Sequence, residues 1–156
     1  MPRPAHAARW IVAGAVFGAL AVGLGAFGTH TLRTRLSPHD LETWRTAVRY
    51  LQTHALALVG AGLFVPPHPR ARRLADVAGA TMVAGTILFA GAVAVLAVGG
   101  PRWLGAVAPV GGTLLIAGWI ALAAAAWTSF RNGPRGSDAT CPSPDGTPQD
   151  ASEAPR

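Results

Sequence analysis

The chain has 156 residues, of which 51% are hydrophobic and only 13% are charged, and its mean hydropathy is +0.35. This composition is too apolar for an ordinary soluble domain and is typical of a membrane protein. The net charge of +6 comes from arginines that lie singly or in small groups beside apolar segments, where lipid phosphates are their natural partners, so we expect no nucleic-acid partner.

Four apolar segments are each long enough for a helix to cross a bilayer, which takes about 20 residues. They cover residues 10–30, 44–65, 74–99 and 104–128. The charged side chains inside them are Arg45, Arg49 and Asp76. We therefore predict an all-α membrane protein built as a four-transmembrane-helix bundle.

The two ends of the chain differ from this apolar domain, which we place at residues 10–130. Residues 1–9 are short and basic and predict an interfacial anchor. Residues 131–156 are rich in Pro, Gly, Ser and Asp and predict a disordered polar tail. A basic start before an apolar run is also typical of a secretory signal, but this run is longer than the usual signal core of about 7–15 residues.

Small residues recur along one face of the first apolar segment. They are Gly14, Gly18, Ala21, Gly25 and Gly28. Spacings of three and four residues bring side chains to one side of a helix. In lipid, helices associate through close van der Waals packing across such residues. We therefore predict that the other helices pack around helix one.

Helix two has a clear predicted start and end. Ser37 is placed to cap a helix that has Pro38 at its first position and Asp40 at its third. Pro66 and Pro67 predict its end, since proline disrupts the helix and disfavours helical geometry in the preceding residue. This helix is longer than the hydrocarbon core, so we expect its first turns to lie in the interface.

Helices three and four carry further signals of the same kind. Asp76 is predicted in the opening turn of helix three, where the helix terminus and the preceding arginines favour a carboxylate. The small residues of helix three are Gly79, Ala80, Ala84, Gly85 and Gly91. Helix four either begins near Ala108 with Pro109 in its first turn, or is kinked at Pro109.

Tryptophans mark the predicted span ends. They are Trp10, Trp44, Trp103 and Trp127. Tryptophan is enriched at membrane interfaces, so we expect these rings at the two edges of the hydrocarbon.

His30, Tyr50 and His54 form the candidate polar site. Two histidines are an incomplete zinc site, although two axial histidines could hold a haem. We favour a structural role, with a neutral His54 that points inward and bonds to helix one or helix three. Cys141 is the single cysteine, and the sequence shows no nucleophile elbow, phosphate-binding loop or paired carboxylates. We expect no catalytic residue, no metal and no cofactor.

Several short motifs in this order resemble a known family. They are Gly25 to His30, Arg49-Tyr50 with His54-Ala55-Leu56, Gly85 to Gly91, Pro109 to Gly112 and Gly118-Trp119. The sequence resembles the YgdD-type small inner-membrane proteins, a four-helix family of unknown function with relatives in eukaryotes. The resemblance implies four membrane spans in a bacterial inner membrane and little about activity.

Two functional classes remain from the sequence. We favour a non-enzymatic integral membrane protein that acts through helix packing with a second copy of itself or a membrane partner. The alternative is a small transporter or channel component with His54 on the pathway. Seven arginines lie near span ends on the side of the termini and five on the other side, so the positive-inside rule predicts that both termini are cytoplasmic.

Overall fold

The computed structural model describes residues 4–64 and 66–131, and these residues form four α-helices. The helices are α1 (Pro4–His30), α2 (Pro38–Leu63), α3 (Pro69–Ala97) and α4 (Leu104–Arg131). A short 3-10 helix, Leu32–Thr34, lies between the first two. The all-α prediction is confirmed. The predicted tail lies outside the described residues except for Arg131.

The helices pack in chain order, each against the next. Residues early in one helix contact residues late in the next, so successive helices run antiparallel. The core lies where α1, α2 and α3 meet, and its buried members include Phe17, Leu51, Leu58 and Met82. The prediction that the other helices pack around helix one is wrong, because α1 packs mainly on α2. The inner positions of the bundle belong to α2 and α3, which each pack on two neighbours.

Local sequence signals account for the helix ends. The Ser37 hydroxyl accepts a hydrogen bond from the Asp40 amide (3.1 Å), and Pro38 occupies the first helical position, so the predicted start of α2 is confirmed. At the end of α3, Gly99 has φ +85°. This left-handed residue lets the Gly100 amide donate back to the Val95 carbonyl (2.9 Å), which closes the helix.

Within the described residues, three helical segments are long and apolar enough to cross a membrane. They are Ala8–Thr34, Pro69–Ala97 and Leu104–Arg131. The remaining helix, α2, has a similar length but carries Asp40, Glu42, Arg45 and Arg49 in its first half. The predicted count of four spans therefore depends on α2.

Asp76 does not lie in the opening turn of a helix, as the sequence predicted. The third helix begins at Pro69, so Asp76 lies about two turns inside it. Its carboxylate pairs with the Arg9 guanidinium and accepts a hydrogen bond from the Trp10 indole (3.1 Å). The carboxylate therefore joins α1 to α3, a contact that was not predicted from the sequence.

Pro109 lies inside α4, which begins at Leu104. Of the two alternatives for helix four, the start near Ala108 is therefore wrong, and the kink at Pro109 stays a prediction. Pro109 has no amide hydrogen to give to the carbonyl of Gly105, one turn earlier, yet the helix continues through it.

The four tryptophans at predicted span ends divide into two kinds. Trp103 and Trp127 are 65% and 61% exposed, as an interfacial ring requires. Trp10 and Trp44 are buried against neighbouring helices, so their rings contact protein, and their placement at the edges of the hydrocarbon stays a prediction. Glycines opposite the two buried indoles give them room, Gly79 for Trp10 and Gly28 for Trp44.

Candidate functional site

The candidate polar site is centred on His54, which is 4% exposed. Its Nδ1 lies 2.8 Å from the Tyr50 carbonyl, and its Nε2 lies 3.3 Å from the Trp119 indole nitrogen of α4. An indole N–H only donates, so Nε2 accepts and the ring proton belongs on Nδ1, which donates to the carbonyl. Both nitrogens of a neutral imidazole are thus satisfied by the protein itself.

Aromatic rings surround this histidine and connect three helices. Tyr50 stacks on His54 with ring centroids 6.0 Å apart and contacts Phe89 of α3 at 4.3 Å. Trp119 meets His54 edge-on at 6.2 Å. The sequence reading expected a partner for His54 on helix one or helix three, and this is wrong: the side-chain partner lies on α4. Trp119 is the one tryptophan inside a predicted span rather than at its end, and that position is the signal that could have singled it out.

His30 does not join this site. It is exposed at the end of α1, where nearby Gly28 packs on Trp44. Ten residues of α2 separate Trp44 from His54, which is about 15 Å along the helix axis. Of the candidate trio, the structure therefore brings together only Tyr50 and His54.

Among the described residues, no group of three or more His, Cys, Asp or Glu side chains could hold a metal ion.

The predicted small-residue seam of α1 faces α2. A Cβ atom added at Gly14 would lie 2.6 Å from the Ala55 carbonyl oxygen, and one at Gly28 would lie 2.6 Å from the Trp44 indole nitrogen. The middle of the seam is looser. The same atom at Gly18 or Gly25 would lie 4.0 or 3.7 Å from its nearest neighbour in α2, and Ala21 is buried in the core.

A second row of small residues runs along the opposite, outer face of α1, and the sequence reading missed it. It comprises Ala15, Ala19 and Gly23, all of them exposed. A Cβ atom at Gly23 would have nothing within 4 Å, and the neighbouring Val22 is 74% exposed. We call this row the outer seam. Its spacing of four residues is that of the small-xxx-small pattern of membrane helix pairs.

Glycines also bring α3 and α4 close together. A Cβ atom at Gly85 would lie 2.9 Å from the Gly111 carbonyl oxygen, and one at Gly111 would lie 2.5 Å from the Phe89 amide nitrogen. Gly118 contacts Met82 in the same way. Not all the predicted packing positions of helix three are used, since a Cβ atom at Gly91 would have nothing within 4 Å. Ala80 and Ala84 are likewise exposed.

Comparison with known proteins places this arrangement among membrane proteins without an assigned activity. The family described as "Protein of unknown function (DUF423)" matches residues 24–112. The UPF0382 membrane protein YwdK of Bacillus subtilis is 40% identical over 106 residues, which cover 65% of this chain and 81% of the relative. A UPF0382 membrane protein of Schizosaccharomyces pombe is 40% identical over 54% of this chain and 67% of its own length. No solved structure gives a significant match.

Proposed function

Since this chain belongs to the DUF423 family, whose relatives here are named UPF0382 membrane proteins, we propose that it is a non-enzymatic, four-span membrane protein that acts by packing α1 against a further membrane helix. The further helix belongs to a second copy of the chain or to a membrane partner. The proposal includes the narrower assignment to YgdD-type proteins of the bacterial inner membrane.

The packing of α2 supports its role as the fourth span. It lies antiparallel to α1 and α3, which are both candidate spans, and packs along both of them. The axis of a helix held in this way is aligned with those of its neighbours, which supports the proposal that α2 crosses the membrane with them. Its charged side chains contact one another, since Arg49 donates to Glu42 (2.9 Å) and Arg45 lies 3.6 Å from the same carboxylate. Such pairing lowers the cost of placing charge in a membrane.

The outer seam is the observation that carries the proposed function. Ala15, Ala19 and Gly23 leave a shallow groove on the face of α1 turned away from α2. Helices in lipid gain no hydrophobic energy by meeting, so a groove that allows two backbones to approach supplies the packing energy for association. The predicted small-residue seam on the other face of α1 already serves this purpose towards α2.

Cysteine cross-linking in membranes tests this surface. In a Cys141→Ser background, Ala19→Cys places one thiol on the outer seam. Ile116→Cys places it on an exposed face of α4, also near the middle of its helix. We expect mild oxidation to give a disulfide-linked dimer with Ala19→Cys and not with Ile116→Cys.

A photo-cross-linking residue at position 19 tests whether the outer seam binds a different membrane protein. An adduct whose mass differs from that of the dimer, and which is absent when the residue is at position 116, would identify such a partner in place of a second copy. If position 19 gave neither a dimer nor an adduct, the proposal that α1 is a docking helix would be overturned.

The transporter alternative finds no supporting observation at His54. Both of its ring nitrogens are bonded to Tyr50 and Trp119, as a register-fixing residue requires. We therefore propose for His54 a positioning role between α2 and α4.

A further inference from the structure

A polar cleft opens between the second half of α1 and the first half of α2. Its volume is about 270 Å³. Its main polar and small lining residues are Gly25, Gly28 and Thr29 of α1 and Arg45, Arg49 and Gln52 of α2. The three α2 side chains recur at spacings of four and three residues, so they form one stripe along the helix. We call this the arginine cleft.

The depth of this cleft follows from the packing register and rests on the proposed four-span arrangement. Gly25 faces Val48 and Gly18 faces Ala55. Gln52 therefore lies level with the stretch of α1 between these two glycines, which is the middle of the candidate span Ala8–Thr34. Arg49 lies about 5 Å away from Gln52 along the axis. The stripe thus reaches from one edge of the hydrocarbon to near its centre.

Hydrogen-bond donors in the cleft exceed the acceptors that the described residues offer them. Arg49 gives one hydrogen bond to Glu42, and Arg45 makes only the longer ion pair with that carboxylate. Within residues 4–64 and 66–131, the Gln52 amide has no hydrogen-bond partner. Unsatisfied donors at hydrocarbon depth are costly, so this stripe calls for an acceptor from outside the chain.

The charge of the cleft indicates what that acceptor is. Two guanidinium groups and the one Glu42 carboxylate leave a single positive charge. A phosphodiester carries a single negative charge and several acceptor oxygens, and the planar guanidinium fork matches phosphate geometry. Gly25 lines the α1 side of the cleft without a side chain, which leaves room for such a group. Arg49 can meet it at the headgroup edge because its side chain already extends towards Glu42, two turns nearer that edge.

We propose that the arginine cleft binds a phosphate group. The group is either the phosphodiester of an anionic lipid headgroup, with its acyl chains along the outside of α1 and α2, or a free phosphate anion. Both present the same oxygens to Arg45 and Arg49, and the two sources are separated by experiment.

Binding to the full chain in a neutral detergent tests the site. Three probes are compared: dioctanoyl phosphatidylglycerol, dioctanoyl phosphatidylcholine and inorganic phosphate. We expect saturable binding of phosphatidylglycerol that Arg49→Gln weakens by about tenfold, as the loss of one charge-assisted contact predicts. The matched control is Arg35→Gln, which changes an exposed arginine near the same end of the bundle, and it should leave binding unchanged.

The three probes identify the source of the phosphate. Saturable binding of inorganic phosphate at the same affinity as phosphatidylglycerol would assign the site to the free anion. Equal binding of phosphatidylglycerol by the wild-type chain and Arg49→Gln, or no saturable binding of any probe, would overturn the proposal.

Labelling of a cysteine separates failure of this site from failure of the four-span arrangement. In the Cys141→Ser background, Gln52→Cys and Arg35→Cys are treated in cells with a membrane-impermeant maleimide. Equally fast labelling of both positions would overturn the placement of α2 in the membrane. Slow labelling of Gln52→Cys, combined with no binding of any probe, would overturn the phosphate site alone.

Discussion

The hydrogen bond between His54 and Trp119 is a contact between two side chains that the sequence places 65 residues apart. An exposed hydrogen bond of this kind would contribute little. Here the imidazole is buried, so a lost partner leaves a polar group without water to replace it. The sequence indicated that His54 points inward and is neutral, but spacing along α2 carries no information about which helix lies opposite.

A double-mutant cycle measures this contact. Trp119→Phe keeps an aromatic ring and removes the donor, so we expect a loss of about 0.5–1.5 kcal/mol in the free energy of unfolding in detergent. His54→Ala should cost more, because it also removes buried volume. The double variant should be less destabilised than the sum of the two changes. Strict additivity would show that the two side chains do not interact.

Gly14 and Gly18 show which property of a small-residue seam the sequence does not predict. Both lie on the predicted face of α1, since spacing determines the face. Spacing does not determine the distance to the neighbour. A Cβ atom at Gly14 would lie 2.6 Å from a backbone oxygen, which cannot move aside cheaply, whereas at Gly18 the nearest atom is 4.0 Å away.

The two glycines therefore differ in their response to alanine. We expect Gly14→Ala to lower the melting temperature in detergent, because α1 must shift away from α2. Gly18→Ala should leave it unchanged or raise it slightly, since alanine is the better helix former. A larger loss for Gly18→Ala than for Gly14→Ala would contradict the packing of these helices.

At the scale of the helices, signals within one turn predicted the helix ends correctly, whereas contacts between residues far apart in the sequence were not predicted. The Ser37 cap and the prolines after α2 act within one turn, and the structure places the helix ends where they indicate. Asp76 was interpreted through its own helix, but its observed partners Arg9 and Trp10 belong to α1. The burial of Trp10 against Gly79 was likewise not predicted, because burial depends on the helix opposite.

The junction of α1 with α3 depends more on the Trp10 ring than on the ion pair beside it. Trp10 is buried against Gly79, so Trp10→Ala should cost about 3–5 kcal/mol in unfolding free energy. The Arg9 and Asp76 side chains are 51% and 36% exposed, so Arg9→Gln should cost at most about 1 kcal/mol. Chemical unfolding of both variants in one detergent compares them. Similar losses would mean that the ion pair stabilises the junction as much as the ring does, and a larger loss for Arg9→Gln would contradict the dominant role of Trp10.

At the scale of the whole molecule, the role of α2 determines where the two ends of the chain lie. If α2 crosses the membrane with the other three helices, the number of spans is even and both termini share one side. If only the three most apolar segments cross, the termini lie on opposite sides. Helix packing favours the first arrangement, since α2 runs antiparallel between α1 and α3.

The distribution of arginines then predicts which side the termini occupy. Seven arginines near span ends lie on the side of the termini and five on the other, so we expect both termini in the cytoplasm. Reporters fused before Met1 and after Phe130 should both respond as cytoplasmic. A reporter after Phe130 that is active only outside the cytoplasm would contradict this orientation.

The bias of seven to five is narrow enough to be reversed by design. Replacing Arg70, Arg72 and Arg73 with glutamine removes three charges from the first turns of α3, next to its connection with α2, and leaves four arginines against five. Because arginines near span ends set orientation, this variant should insert in both orientations or in the inverted one. The matched control replaces Arg33, Arg35 and Arg102 on the opposite side, which leaves seven against two and should keep the reporter after Phe130 fully cytoplasmic. If the first variant kept the wild-type orientation, features other than these arginines would have to orient the bundle.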